Sequence, residues 1–337
     1  MKDLFAVIML SGIYGLLSAS FFVAMDAVDV AFTEASVGAG ISTLLMLVAI
    51  TMTGRTEHPV NHKPLLALAV VIVTGGLLIY GTLDTPYFGS AQAPIHQHVA
   101  PRYINDSMQE VGVPNIVTSV LASYRGFDTF GEVVVIFTAG IGVLALLSMV
   151  YRPRVTDKDT GKDTVDIDTF NDSMHEKHLI LRIVSKILLP FIMLYALYVQ
   201  FHGDFGPGGG FQAGVIFAAA IILYTMLFGI NTASRVINLS LIQILAATGV
   251  LIYGSVGLVS LLNGKNFLDY SALSTDPIAG QHLGILLIEL GVGITVASVM
   301  VIIFFNFAER RESIHGVENN AENCSKENDE AQSAKIP

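Results

Sequence analysis

Eight stretches of nearly continuous apolar residues run along the chain, at about 4–25, 28–53, 64–82, 127–150, 180–201, 211–230, 236–262 and 282–307. Each approaches or exceeds the roughly 20 residues that a helix needs to cross a bilayer. They are continuously apolar rather than alternating with period two, so membrane-barrel strands do not fit them. The pattern predicts an all-α integral membrane protein with about eight transmembrane helices. The first stretch follows Met1, Lys2 and Asp3 and leads to no small-residue cleavage site. It therefore reads as a retained helix rather than a signal peptide.

Polar segments divide these stretches unevenly. Residues 83–126 form a long segment with Pro86, Pro94, Pro101 and Pro114 and the pair His96/His98, and its end, NIVTSVLASY, is expected to be a short helix lying along the membrane. Residues 151–177 carry mixed charge and read as a linker between two membrane modules. From Ala308 onward the chain holds seven acids, four bases and few large apolar residues, so 308–337 is expected to be a disordered tail. Between the fifth and sixth stretches lies FHGDFGPGGGFQAG, Phe201 to Gly214, a helix-breaking turn flanked by lipid-like sequence. Pro207 is expected to stop the fifth helix, and Gly208, Gly209 and Gly210 permit conformations that expose successive backbone N–H groups. The missing Lys-Ser/Thr ending and the aspartate in the turn argue against a phosphate loop. A weak internal echo joins TGGLLIYG at 74–81 to TGVLIYG at 248–254.

Composition strengthens this picture. Of 337 residues 53% are hydrophobic and 14% charged, against about 25% charged in soluble domains. Cys324 is the single cysteine, which excludes an internal disulfide framework and a Cys-based metal cluster. There is no tryptophan, so interfacial anchoring falls to tyrosine and the basic residues. The net charge of -10 gathers in loops and tail, and nothing basic enough for nucleic acid is present. With the N-terminus inside, 15 of the 18 Lys and Arg fall on the inner side, leaving Arg102, Arg125 and Lys265 outside. That asymmetry and the even span count place both termini in the cytoplasm.

The informative polar residues are those that lipid rejects. Glu289 lies seven residues after His282 on the same helical face, roughly 10 Å into the last span. A carboxyl at that depth costs a few kcal/mol, about 2.5–3.5 on insertion scales, unless it is paired, neutral or hydrated. Glu34 lies inside the second span, with Asp26 and Asp29 at its outer mouth, and Gly38 one turn on leaves a groove free of side chains beside it. Asp128 and Glu132 share a face at the start of the fourth span, with Arg125 within a turn. His202 and Asp204, in the glycine turn, are further proton-passing candidates. For each group a plainer reading stands beside ion handling: interhelical hydrogen bonding for Glu289, first-turn acids suiting the helix dipole for Asp128 and Glu132, and tight helix pairing for the glycines.

The turn HGDFGPGGGFQAG resembles the signature of the B-type component of Mrp (Mnh) sodium/proton antiporters, with His202, Pro207 to Gly210 and Phe211 at matching positions. DAVDVAFTEASVGAGIST is similar to the D-type domain of membrane-bound hydrogenase relatives, and GGLLIYGTLDTPYFG with PNIV and YRGFDTFGE to their E-type domain; in many antiporters these two end the large A-type component. The resemblance implies a D-like domain over 1–60, an E-like domain over 61–150, the linker over 151–177 and a four-helix B-like domain over 178–307. The D-like part is short of a first helix, which is then expected on the preceding subunit.

The family implies a multi-pass subunit of the prokaryotic inner membrane, working with A-, C-, D-, E-, F- and G-type subunits to exchange external H⁺ for internal Na⁺ without an organic cofactor or a resident metal. It implies no enzyme activity. The broken helices with intramembrane lysines of the large proton-moving subunits are missing, so the chain is expected not to transport alone. Two other readings stay open: a membrane component of an energy-converting hydrogenase or related oxidoreductase, with its redox chemistry on partners, and an assembly scaffold whose acids are only protonated glue.

The orientation is testable with a membrane-impermeant maleimide added from outside, in a Cys324→Ser background. Gly89→Cys is expected to react and Asp163→Cys to stay protected; the reverse pattern would invert the topology.

Overall fold

In lipid a backbone must satisfy its own polar groups, so long apolar runs become helices. In the computed structural model, which describes residues 3–57, 64–87, 89–150 and 179–333, all eight stretches are helical. They are α1 (Leu4–Ala24), α2 (Val28–Thr53), α3 (Pro64–Thr82), α4 (Gly126–Val150), α5 (Leu179–His202), α6 (Gly210–Phe228), α7 (Leu239–Leu262) and α8 (Pro277–Ser333). Among the described residues no β-strand forms, only an isolated bridge between Asp3 and Thr56. The chain is an all-α, multi-pass membrane protein. The linker expected at 151–177 lies outside the described residues.

The most buried span is α8, where Ile285, Val296 and Phe305 are fully enclosed. It is held from two sides by small residues. A Cβ at Gly214 of α6 would lie 2.7 Å from the Gly293 carbonyl oxygen, and one at Gly291 would lie 2.7 Å from the Gly249 carbonyl oxygen of α7. Backbones this close gain dispersion contacts that lipid tails cannot match as well. Against this core pack α2 and α4. By contrast, no residue in the apolar stretch of α3 is buried.

The structure adds a π-helical segment, Ala35–Ile41, inside α2. Gly15 of α1 lies against its Gly38–Ala39 backbone, and the Ser42 and Thr43 hydroxyls donate to carbonyls in the widened turn. Such bulges are frequent at functional sites.

The fifth helix ends at His202, where its apolar run ends, and the closing bonds are those of the Phe205 and Gly206 N–H groups to the His202 carbonyl, so Pro207 is not what stops it. NIVTSVLASY is helical, as Ile116–Thr118 followed by a π segment, Ser119–Tyr124, with Ile116, Val117 and Leu121 exposed on one face. Ser119 and Ala122 are buried, and the Tyr270 hydroxyl donates to the Ala122 carbonyl at 2.8 Å. Beyond Ala308, α8 continues helical to Ser333 instead of ending in an irregular tail. From Ala308 to its end the chain holds six Glu and four Ala, with Gly316 as the one glycine and no proline before Pro337, so no proline breaks the helix.

The two ends of the bundle differ. At one, the Asp3 carboxylate meets the Arg55 guanidinium at 2.9 Å, tying the start of α1 to the end of α2. At the other, the 83–126 segment and the α5–α6 turn meet, with the Asn115 N–H donating to the Asp204 carbonyl at 3.1 Å. On that end the Tyr124 hydroxyl and the Arg102 guanidinium hold the Glu110 carboxyl below its usual range.

The α8 contacts predict a contrast between glycines. Gly249→Ala and Gly214→Ala, whose new methyl groups meet backbone, are expected to cost about 1–3 kcal/mol each through overpacking. Gly75→Ala and Gly76→Ala in α3, with nothing within 4 Å, should be neutral or slightly stabilising. Apparent melting temperature in mild detergent distinguishes the two pairs.

Candidate functional site

The α5–α6 turn is built around a carboxylate. Gly209 has φ +111, a left-handed conformation that side chains disfavour, and its N–H donates to the Val199 carbonyl at 3.0 Å, folding the turn back onto α5. Gly210 then opens α6 so tightly against α8 that a Cβ there would collide with the Glu289 carbonyl. The Glu289 side chain occupies the space that the glycines leave. Its Oε2 lies 3.2 Å from where a Gly203 Cβ would be, and its Oε1 lies 3.1 Å from the same point at Gly209. The positive end of α6 is thus directed at this carboxylate.

Other groups fix the turn from outside. The Asn115 amide Nδ2 donates to the Gly206 carbonyl at 3.0 Å and the Gly203 carbonyl at 3.2 Å, and it lies 3.5 Å from Asp29 Oδ2. The Thr118 hydroxyl donates to Gly203 O at 2.7 Å. The Gly208 N–H points at Asp29 Oδ1, 3.4 Å away. Buried Gln212, in the first turn of α6, donates through Nε2 to the Thr33 hydroxyl of α2 at 2.9 Å.

These elements enclose a cavity of about 630 Å³. Three carboxylates from three helices line it: Asp29 of α2, Glu132 of α4 and Glu289 of α8. Between them lie Thr33, Thr118, Thr129 and Gln212, together with Gly208, Gly209 and Gly210. Glu289 is half-buried and Glu132 exposed, so the cavity opens on the α4 side.

The remaining candidates sit around this cavity rather than in its wall. Glu34 folds over Gly38, its Oε1 taking the place of a Cβ there, five residues further along α2 than Asp29. Asp128 turns away to pair with Arg125 at 2.6 Å. His282 reaches across to Asp204, with Nδ1 3.5 Å from Oδ2. His202 stacks on Tyr198, with ring centroids 4.9 Å apart. Pro207 faces a separate depression shared with Ala19, Ala31 and Tyr195. Asp26, with φ +61, forms the α1–α2 turn, so Asp29 alone of that pair reaches the cavity. Sequence reasoning missed Gln212, Thr33 and Asn115. The legible signal for Gln212 was a glutamine two residues into an apolar helix; Asn115 lay in a loop where an asparagine is unremarkable.

Comparison with known proteins places three family models along the chain. A domain related to the MnhB subunit of Na⁺/H⁺ antiporters matches residues 180–302. The models for the MBH components MbhD and MbhE match residues 1–55 and 68–162. The chain is 32% identical over 141 residues to the putative antiporter protein mnhB2 of Staphylococcus aureus (strain Newman), covering 41% of this chain and 99% of that one. It is 25% identical over 328 residues to a probable K⁺/H⁺ antiporter A/B component of Rhizobium meliloti (strain 1021), covering 90% of this chain but 32% of the relative, so it spans about a third of that protein. Among solved structures, the Mrp complex from Dietzia sp. DQ12-45-1b aligns with TM-score 0.68 at 25% identity, over 91% of this chain and 33% of that one. A chain of an archaeal respiratory complex, the membrane-bound sulfane sulfur reductase, aligns with TM-score 0.50 at 29% identity, over 73% of this chain and 98% of that one.

The Asn115 clamp generates a prediction. Asn115→Asp keeps the shape but replaces a donor by an acceptor facing two carbonyls and Asp29. It is expected to cost about 2–4 kcal/mol, seen as a lowered apparent melting temperature and faster proteolysis at residues 202–209. Adding Asp29→Asn should restore part of the loss, because it supplies a donor in place of a like charge. An unchanged melting temperature in Asn115→Asp would refute the clamp.

Proposed function

We propose, from the premise that this chain belongs to the MnhB-related family of Na⁺/H⁺ antiporter subunits, that it is a membrane component of a multi-subunit monovalent cation/proton antiporter and forms part of its ion route. The observation that carries this is the convergence of Asp29, Glu132 and Glu289, from three separate helices, on one cavity. Ionisable side chains inside a membrane protein face such cavities and mark ion or proton pathways.

The chemistry suits exchange. A carboxylate that holds a proton cannot at the same time hold a cation, so alternate occupancy of one site couples the two flows. Thr33, Thr118, Thr129 and Gln212 offer neutral oxygens to replace part of a hard cation's hydration shell. The cavity, of about 630 Å³ and apolar over most of its wall, also has room for waters beside these polar groups to carry ions in partly hydrated form. Glu34 would be the next carboxylate inward, roughly 7 Å further along α2, beside the π segment. His282 and Asp204, paired at the loop-bearing end, would pass protons toward Glu289. In this reading the chain carries ions between subunits and makes or breaks no covalent bonds. A-, C-, D-, E-, F- and G-type subunits would be its partners.

A second reading takes the chain as the membrane module of a redox-driven complex, and the alignment over 98% of a sulfane sulfur reductase chain favours it. The two part on the driving force: an antiporter exchanges cations for protons on a pH gradient alone, whereas a redox module needs an electron donor.

Amide substitution tests the proposal, because it keeps size and hydrogen bonding while abolishing titration. In complexes shown to be assembled on native gels, Glu132→Gln, Glu289→Gln and Glu34→Gln are each expected to lower exchange per complex at least tenfold between pH 6 and 9, roughly 1.4 kcal/mol of barrier or more. Glu289→Asp should keep part of the activity. Parental rates in both Glu132→Gln and Glu289→Gln would refute the ion route.

A further inference from the structure

One neutral side chain in the wall of the carboxylate cavity has an orientation that its neighbours fix. Gln212, in the first turn of α6, is only 7% exposed, and it lines the cavity together with Thr33 and Glu289. A carboxamide can turn either its amine or its oxygen toward a neighbour, and hydrogen-bond partners decide which. Here the Thr33 hydroxyl decides. It has one proton, and it donates that proton to the Asp29 backbone carbonyl at 3.0 Å. Toward Gln212 it can therefore only accept. Nε2 faces Thr33, at 2.9 Å, and Oε1 is turned the other way.

That direction leads to Glu289. Gln212 Oε1 and Glu289 Oε1 lie 3.8 and 3.1 Å from the one place that a Cβ on Gly209 would take, so the glycine keeps hydrocarbon from between them. Among the described residues no donor reaches Gln212 Oε1. Nor is it sealed off, because Gln200 Nε2 is the one fully enclosed side-chain polar atom there without a partner. Gln212 Oε1 is thus an accessible, fixed acceptor in a side chain that is otherwise buried.

Water or a cation can complete such an acceptor, and charge separates the two. Asp29, Glu132 and Glu289 line the cavity, and no Lys, Arg or His does. Water leaves ionised carboxylates uncompensated in a wall that is mostly apolar, whereas a cation neutralises them. The positive end of α6 opposes a cation by about half a charge, less than the full charge that Asp29 or Glu289 brings when ionised. The available donors are all oxygens, which suits a hard cation.

We infer that Gln212 Oε1 and the carboxylates of Glu289 and Asp29 form one binding position for a partly dehydrated alkali cation, with Thr33 as the positioning residue that holds the amide oxygen toward it. The cargo rests on the ion-route reading; the added claim is where in the cavity the cation halts and which neutral oxygen sets its fit. An oxygen whose place is fixed discriminates between ions by size, and one that is free to swing does not.

The test is equilibrium binding of radiolabelled Na⁺ to the assembled complex in detergent, competed by K⁺ and by Li⁺, beside exchange in proteoliposomes. Glu289→Gln is expected to remove one class of bound Na⁺, which defines the position. Gln212→Met keeps the length of the side chain and loses the oxygen. It should weaken Na⁺ binding at that position at least tenfold and raise the KM for Na⁺ by a similar factor, with a smaller change in maximal rate. Thr33→Val should weaken binding at least threefold and narrow the preference between Na⁺ and K⁺. Thr33→Ser, which keeps the hydroxyl, should restore both, and the Thr33 pair carries the test if Gln212→Met does not assemble. Parental Na⁺ binding in Gln212→Met would overturn the proposal, since water would then complete the amide. A cation preference equal in Thr33→Val and the parent would also overturn it. Exchange lowered in Glu289→Gln with all bound Na⁺ retained would remove this position and leave the ion route standing. Binding that follows Gln212 and Thr33, with parental exchange in Glu132→Gln and Glu289→Gln, would keep the position and end the ion-route reading.

Discussion

Everything at the candidate site depends on how closely the start of α6 approaches the backbone of α8. Helices in lipid gain little from hydrophobic association, because the solvent is as apolar as they are. What holds them is van der Waals packing at short range, and that requires residues without side chains at the crossing. Gly210 against the Glu289 carbonyl and Gly214 against Gly293 supply this on one side of α8, and Gly249 against Gly291 supplies it on the other. A methyl group at Gly210 would push α6 outward and carry the turn, Gln212 and the cavity wall with it. The glycines of the turn therefore serve less as a flexible loop than as a mould around the Glu289 carboxylate.

A mould of glycines is soft unless it is tied down, and the ties come from the other half of the chain. Asn115, Thr118 and Asp29 bond the turn from outside. The Tyr253 hydroxyl reaches the Gly126 carbonyl at 2.7 Å and Tyr270 reaches Ala122, so the carbonyls at the foot of α4 are satisfied in the interior. Both tyrosines are fully buried, where an unpaired carbonyl would be costly. The two tyrosine bonds join the MbhE-like segment to the B-like bundle across more than a hundred residues of sequence. The cavity exists only because the two halves are one folded unit: Asp29 and Glu132 come from the first and Glu289 and Gln212 from the second.

The same solvent argument explains what the bundle leaves uncovered. In water, a helix such as α3, with no buried residue in its apolar stretch, would be an aggregation hazard. In lipid, that exposure costs nothing, and the helix stays free to meet either lipid or protein. Glu132 is different, because a carboxylate at the open side of a cavity cannot face hydrocarbon cheaply. The cavity mouth on α4 is thus the place where the proposed neighbours in a larger complex matter most for the chemistry.

The number, place and helical character of the spans were legible in the sequence alone. Burial in lipid imposes a requirement on each segment by itself, length and absence of charge, and no knowledge of neighbours is needed to apply it. The acids out of place were legible for the same reason: Glu34, Glu132 and Glu289 violate that requirement wherever their helices point. The π segment in α2 and the helical continuation of α8 were not, since each turns on local backbone bonding that several sequences permit. Least legible was which polar groups meet. A membrane helix that is apolar all round gives no periodic signal of which face looks inward, because core and lipid ask for the same residues. Rotation about each axis is settled instead by glycine crossings and interhelical hydrogen bonds. Only these decided that Asp29 rather than Asp26 reaches the cavity, that Asp128 turns away to Arg125 while Glu132 lines the wall, and that Gln212 and Asn115 stand where the chemistry is.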